Sequence, residues 1–497
     1  MALKRSGGIS METNTAIMLT MLIPALAAVG NLLLRNSPNL RDTMTLGAAL
    51  ATFASVLVIL SNVGNSTTEA YKLFEVFPGL SIAFNVEPLG LMFAIIASGL
   101  WILTHIYGVG YMRGNNEDNH ARFFASFSLA ISAVMGLAFS ANMFTLFLFY
   151  EIITLSTYPL VTHKGTPEAL RGGRTYLGIL MGTSIALLLV AVIWTYTITG
   201  RLDFTQGGIL RGHISGWLVA LLLGLYAFGI GKAALMPFHR WLPAAMVAPT
   251  PVSALLHAVA VVKAGVFTML KVGIYIFGID FLAETGASEW LMWLAAYSII
   301  AASIVAMTKD NLKARLAYST ISQLSYITLG MALATSMGAL GGGMHIAMHA
   351  MGKITLFMCA GSIYVATHKT NISQMNGLGR IMPITYGAFL IGALSIIGLP
   401  PLGGSWSKWL LIVGAADAGQ QVMIAVLMLS SLLNVAYLLS IVGKGFFWPT
   451  NTGPIKVVES PLLVWLPPAI TAFGCLVLFF YATSIRDFLM PIVGAAQ

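Results

Sequence analysis

Apolar runs of about 20 residues recur along the whole chain, the length an α-helix needs to cross a hydrocarbon core. They predict fourteen spans, at 16–34, 43–62, 88–111, 122–140, 142–162, 175–199, 215–236, 251–279, 288–308, 314–335, 338–366, 383–414, 421–447 and 461–484. The short alternating segments of an outer-membrane barrel do not occur. Two spans are interrupted. Past the seventh, Pro237, Pro243, Pro249 and Pro251 crowd into fifteen positions. Proline removes a backbone donor and clashes with the preceding turn, so no helix runs through this segment unbroken. In the twelfth, Pro400 and Pro401 followed by Gly403 and Gly404 do the same. Five spans separate the two breaks. That spacing predicts two five-helix repeats, over 122–279 and 288–447, each broken in its fourth helix. Three helices in 1–111 precede them, and a fourteenth helix with a short tail in 461–497 follows. An odd number of spans per repeat inverts adjacent copies in the membrane.

Composition agrees with the pattern. Of 497 residues, 58% are hydrophobic and 9% charged, against about 25% charged in a soluble domain. The expected fold is an all-α integral membrane protein. Its longest polar connections, 63–87 and 200–214, are too short to bury a core. The net charge of +9 reads as loop bias setting orientation rather than as a nucleic-acid face. With the N-terminus outside, the loops then facing the cytoplasm hold fifteen basic residues, among them Arg41, Arg113 and Lys313, and the outer loops hold six. This predicts a bacterial inner-membrane protein with both termini on the periplasmic side. The N-terminal apolar run continues to Leu34, long enough to read as a span rather than a cleaved leader, with Met11 as an alternative start. Cys359 and Cys475 lie in apolar runs without disulfide or metal spacing. There is no Walker motif, dinucleotide fingerprint or cysteine cluster, so the chain is expected to hold no cofactor and no metal.

Candidate chemistry lies in the charges that the apolar spans contain. Glu151 sits about eight residues into the fifth span, roughly 12 Å deep at 1.5 Å per residue. A carboxylate there needs a cationic partner or a proton. Lys232, just before the first break, is the expected partner, and opening or closing that pair would load or release a proton. Lys263 lies mid-span in the eighth helix, six residues after His257, whose imidazole suits a relay. Lys271 lies nearer a helix end and is expected to snorkel to the interface. In the eleventh span His345, His349 and Lys353 recur every four residues and so share one helix face. Haem ligation by these histidines is disfavoured, because no partner helix offers a second axial histidine. Lys408 follows the second break as Lys232 precedes the first, the mirrored placement that inverted repeats would give. Each residue alone is also readable as packing. The set resembles what a proton relay across a helix bundle needs.

These residues also carry a family resemblance. The stretches FLFYEIITLSTYPLV, GKAALMPFHRWLPAAMVAPTPVSALLHAVAVVKAG, DNLKARLAYSTISQLSYITLG, HIAMHAMGKITLF and GLPPLGG resemble the antiporter-like subunits shared by Mrp-type multisubunit Na+/H+ antiporters and respiratory complex I. The resemblance implies fourteen core helices, two inverted repeats and broken helices seven and twelve. It places the family's key glutamate on Glu151 and its helix-seven and helix-eight lysines on Lys232 and Lys263. The helix-eleven histidine and lysine fall on His349 and Lys353, the helix-twelve charge on Lys408, and the histidine of the SALLHA variant on His257. Lys408 and the short tail look most like the Mrp D subunit, although GGSWSKW departs from that subunit's pattern. The implied function is proton translocation within a hetero-oligomeric monovalent cation (Na+ or K+)/proton antiporter. The alternative is a proton-pumping subunit of a complex I-like NADH:quinone oxidoreductase or membrane-bound hydrogenase, a translocase subunit of a redox enzyme.

Overall fold

The computed structural model describes residues 2–449 and 456–494; for 2–11 and 256–258 it describes the backbone only. Helix underlies every predicted run. In chain order these are α1 (Ala2–Leu33), α2 (Pro38–Val63), α3 (Pro88–Gly114), α4 (His120–Ala138), α5 (Met143–Val161), α6 (Pro167–Thr199) and α7 (Trp217–Gly229). There follow α8 (Val261–Phe277), α9 (Glu289–Thr308), α10 (Leu312–Ala332) and α11 (Ser336–Thr367). The last four are α12 (Pro383–Ile397), α13 (Gly404–Asp417), α14 (Gln421–Phe447) and α15 (Leu462–Phe480). Among the described residues ten helices are long and apolar enough to cross a membrane, or eleven if α8 is joined to the Ile279–Thr285 helix bent 76° from it. The rest are the broken segments and α10, which is 21 residues long but carries a buried polar line of Ser319, Ser322, Gln323, Ser325 and Thr328. The chain is a multi-pass membrane protein. Its outer faces show Trp217, Trp293, Tyr297, Phe473 and Phe480, the side chains a lipid-facing surface tolerates.

The connection 63–87 is more ordered than its sequence suggests. Tyr71–Phe77 (β1) and Leu80–Phe84 (β2) pair antiparallel, with Glu75 opposite Ser81. The hairpin is pinned to the start of α5. Thr145 Oγ1 accepts from Ala83 N at 3.0 Å, and Asn142 Nδ2 donates to Ser81 O at 2.8 Å.

Among the ten long apolar helices, the most enclosed is α11. It packs against α3, α10, α12, α13, α15 and the wide π-helical turn Val252–Ala260 that leads into α8. The second break packs on α11 directly, and the first packs on α8. At the first, α7 stops at Gly229, a tight turn covers Gly231–Ala233, and the Gly231 carbonyl accepts from Ala234 N at 3.0 Å and from Trp241 Nε1 at 2.9 Å. At the second, α12 stops at Ile397 and Gly398 takes φ +92°, a conformation that L side chains rarely adopt. The chain then returns as α13 so closely that a Cβ on Gly404 would lie 1.9 Å from Ser395 O.

Candidate functional site

The first break delivers Lys232, fully buried, against one face of α5. Its Nζ donates to Tyr150 O at 2.8 Å and to Thr154 Oγ1 at 2.5 Å, and stands 3.2 Å from the centre of the Tyr150 ring. Tyr150 and Thr154 are one helical turn apart and therefore share that face. The backbone N–H of Lys232 donates to the Tyr150 hydroxyl at 3.1 Å. The expected contact with Glu151 is not made. No ion pair joins the two, although Glu151 lies within electrostatic range, and neither carboxylate oxygen, both buried, has a hydrogen-bond partner among the described residues. The geometric reason is the helix itself. Consecutive residues point about 100° apart, so the lysine that faces Tyr150 and Thr154 does not face Glu151.

α8 brings Lys263 to the same region. A Cβ on Gly265 would lie 2.3 Å from both Ala233 N and Lys232 C, so only a glycine lets the helix seat directly on the break. Lys263 Nζ and His349 Nδ1 form a short hydrogen bond between α8 and α11. The His349 ring lies 5.6 Å from that of His345, centre to centre. His345 bonds Ser407 Oγ through Nδ1 at 2.9 Å and Gln323 Oε1 through Nε2 at 3.1 Å, and stacks on Tyr326. Beside Ser407 in the chain, Lys408 Nζ donates to Ile397 O and Ser431 Oγ, both at 3.0 Å, and lies 4.9 Å from the Tyr326 ring centre. Lys353, one turn past His349, donates to Ser319 Oγ at 2.5 Å; that oxygen is 2.9 Å from the Tyr437 hydroxyl, which also bonds Asn434. The row thus runs from α8 through α11 to α13 and α14. His257 lies on the turn leading into α8, and its side chain is outside the described residues.

Several members of this network carry no charge and were not anticipated: Tyr150, Thr154, Ser319, Gln323, Tyr326, Ser407, Ser431 and Tyr437. Two charged clusters were also missed. Lys271 does not snorkel. It is fully buried, 3.4 Å from Glu87 Oε1, and donates to Ser140 O at 3.0 Å. Glu87 also caps α3 through Leu89 N and Gly90 N and accepts from Tyr275 at 2.9 Å. Arg41, read as a loop charge, is buried and paired with Asp42 at 2.8 Å, which Arg113 reaches at 2.6 Å from the other side. Among the described residues no three His, Cys, Asp or Glu side chains gather as a metal site.

Comparison with known proteins supplies a lineage for this arrangement. Residues 140–434 match the family described as NADH:quinone oxidoreductase/Mrp antiporter, TM, and residues 78–124 match NADH-Ubiquinone oxidoreductase (complex I), chain 5 N-terminus. NADH-quinone oxidoreductase subunit N of Desulforudis audaxviator is 32% identical over 441 residues, 86% of each chain. NAD(P)H-quinone oxidoreductase chain 5 of Synechocystis is 33% identical over 346 residues, and the match spans 66% of this chain but 49% of that longer one. Among solved structures, a chain of the Mrp complex from Dietzia superposes with a TM-score of 0.84 over 97% of both chains at 21% identity, a likeness of fold. The first family match covers more than half of the chain and encloses both breaks and every buried lysine of the row, and on these grounds the chain belongs to the NADH:quinone oxidoreductase/Mrp antiporter transmembrane family.

Proposed function

We propose that the chain is the proton-translocating subunit of a multisubunit monovalent cation (Na+ or K+)/proton antiporter of the Mrp type, with the D subunit its nearest counterpart. The observation that carries this reading is the row of buried lysines and histidines on α8, α11 and α13, held by neutral acceptors. A hydroxyl can accept from an ammonium and can donate to a neutral amine. Such partners serve both protonation states, as a relay requires. In this reading Glu151 and Lys232 form the gate, Lys263 and Lys408 carry the proton, and His257, His345, His349 and Lys353 complete the relay. Pro237, Pro243, Pro400, Pro401, Gly403 and Gly404 keep the two breaks open, so that backbone and lysine amines line the interior. The two five-helix repeats are inverted copies, each giving one break lysine. The complex sits in a bacterial inner membrane with both termini of this chain outside, and other membrane subunits complete it.

The test is dissipation of ΔpH in inverted vesicles that carry the whole complex, with wild type compared against Glu151→Ala and Lys232→Ala. Collapse of ΔpH by Na+ or K+ in wild type, lost in both variants, is the expected result. If no cation acts, and an electron donor such as NADH builds a ΔpH that Glu151→Ala removes, the chain is a pump module of a redox complex. The relative from Desulforudis, a subunit of an NADH-quinone oxidoreductase that matches over most of both chains, is compatible with that second reading as well as with the first.

A further inference from the structure

We propose that Tyr150 and Thr154 form an alternative cradle for the Lys232 ammonium, competing with Glu151, so that the gate is a two-station switch rather than a simple ion pair. The inference rests on the function proposed above and adds positioning residues to it. An ammonium has three N–H donors. One goes to Tyr150 O at 2.8 Å, one to Thr154 Oγ1 at 2.5 Å, and the remaining side of the group faces the Tyr150 ring at 3.2 Å. All of these partners belong to one face of α5, and all are buried. A tyrosine ring attracts a desolvated cation through its quadrupole. Meanwhile both Glu151 oxygens are buried and unpartnered, a state that a carboxylate leaves whenever a donor comes within reach. The acceptor is empty and its donor is occupied next door.

Tyr150 does a second thing. Its hydroxyl accepts the backbone N–H of Lys232 at 3.1 Å. One side chain therefore holds both the main chain at the break and the amine that hangs from it. A movement of the break, or of α8 seated on it at Gly265, would change ring and ammonium together. That ties the station occupied by Lys232 to the helix that carries Lys263. Rotation of the lysine from the α5 face to Glu151 exchanges a hydroxyl, a carbonyl and a ring for a carboxylate, with no change in covalent bonding. Without the cradle the amine has only Glu151 to rest on, and the gate stays shut.

The discriminating experiment replaces Tyr150 by phenylalanine bearing zero, one, two or three ring fluorines. Each fluorine weakens the ring's attraction for a cation while leaving its shape nearly unchanged. In vesicles carrying the complete complex, cation-dependent ΔpH dissipation should fall in steps, by about tenfold from the unfluorinated to the trifluorinated ring. A second reading does not depend on transport. The infrared carboxylate band that disappears in Glu151→Gln should lie at a different frequency in the trifluorinated variant and in Tyr150→Leu than in Tyr150→Phe, the reference that already lacks the hydroxyl bonded to Lys232 N–H. A flat fluorine series or a stationary band overturns the cradle. If wild-type vesicles show no cation-dependent response, the antiport reading fails by itself, and the infrared band alone decides whether the cradle stands.

Discussion

The two helix breaks solve one problem in two ways. In each, a buried lysine amine finds a carbonyl, a hydroxyl and a tyrosine ring: Tyr150 O, Thr154 and Tyr150 for Lys232, and Ile397 O, Ser431 and Tyr326 for Lys408. At the first break the carbonyl belongs to another, intact helix. At the second it is the last carbonyl of α12, left without an intrahelical partner where the helix stops. A helix C-terminus carries negative partial charge, so the second lysine is held by its own broken helix. The first is held by a neighbour that also presents a carboxylate. The second lysine lies beside an open, outward-facing groove of about 740 Å³ walled by Trp406, Trp409, Met428 and Leu432, whereas the first is fully buried. On the function proposed above, the difference makes the first break the switch and the second a fixed station.

If the breaks work as one device, their link should matter most. Lys263→Met removes the amine that joins α8 to His349 and is expected to lower ΔpH-coupled exchange by about 10²-fold or more, the range seen when a positioned proton carrier is lost. Retention of most of the activity would mean that the two halves act independently. The two cradles should then respond unequally to loss of their hydroxyls. Thr154→Val removes the shorter bond from a lysine with a competing partner, and about a tenfold loss is expected. Ser431→Ala leaves Lys408 on the α12 end and should lose about twofold to threefold, roughly 0.5 kcal/mol and the low end for a single net hydrogen bond. Equal losses in the paired assays would erase the distinction drawn here.

The smallest expected effect concerns stability where the chain leaves α5. Burial, then the Arg122 guanidinium, pushes the His163 imidazole down to about 4. In the unfolded chain it titrates near 6.5. The unfolded state therefore binds more protons between those values, and stability rises with pH across that window. The contribution is complete above pH 6.5 and is lost as pH falls toward 4. Thermal unfolding of the purified complex should drop by about 2–4 °C between pH 7 and pH 5, and His163→Gln should flatten that slope. An unchanged slope would show that the first half is not tuned at this point.

Both breaks could be read from the sequence because proline and paired glycines disrupt a helix whatever surrounds them. The same holds for the buried lysines and for the stripe of His345, His349 and Lys353, since charge in an apolar run and fixed spacing are local signals. What could not be read was which group each lysine touches. Lys232 meets Tyr150 across 82 positions and Lys263 meets His349 across 86; no periodicity encodes such distances. Tyrosine, serine and threonine are also ordinary in apolar helices, so Tyr150, Ser319 and Ser431 gave no signal. Lys271 was misread because nearness to a helix end suggests water, whereas its partner Glu87 comes from the far side of the hairpin segment. Gly265 looked like any helical glycine. Its requirement appears only once the backbone of the first break is seen 2.3 Å from where its Cβ would stand.

The neutral surroundings of Lys263, Lys353 and Lys408 have a further consequence. Among the described residues no carboxylate pairs with any of the three. Each positive charge placed on the row is therefore felt by the others through a weakly screening interior. Such a row behaves as a capacitor of very small capacity. In the proposed relay the first proton would raise the work needed for the second, and traffic along it would be forced into single file, one charge leaving before another is admitted.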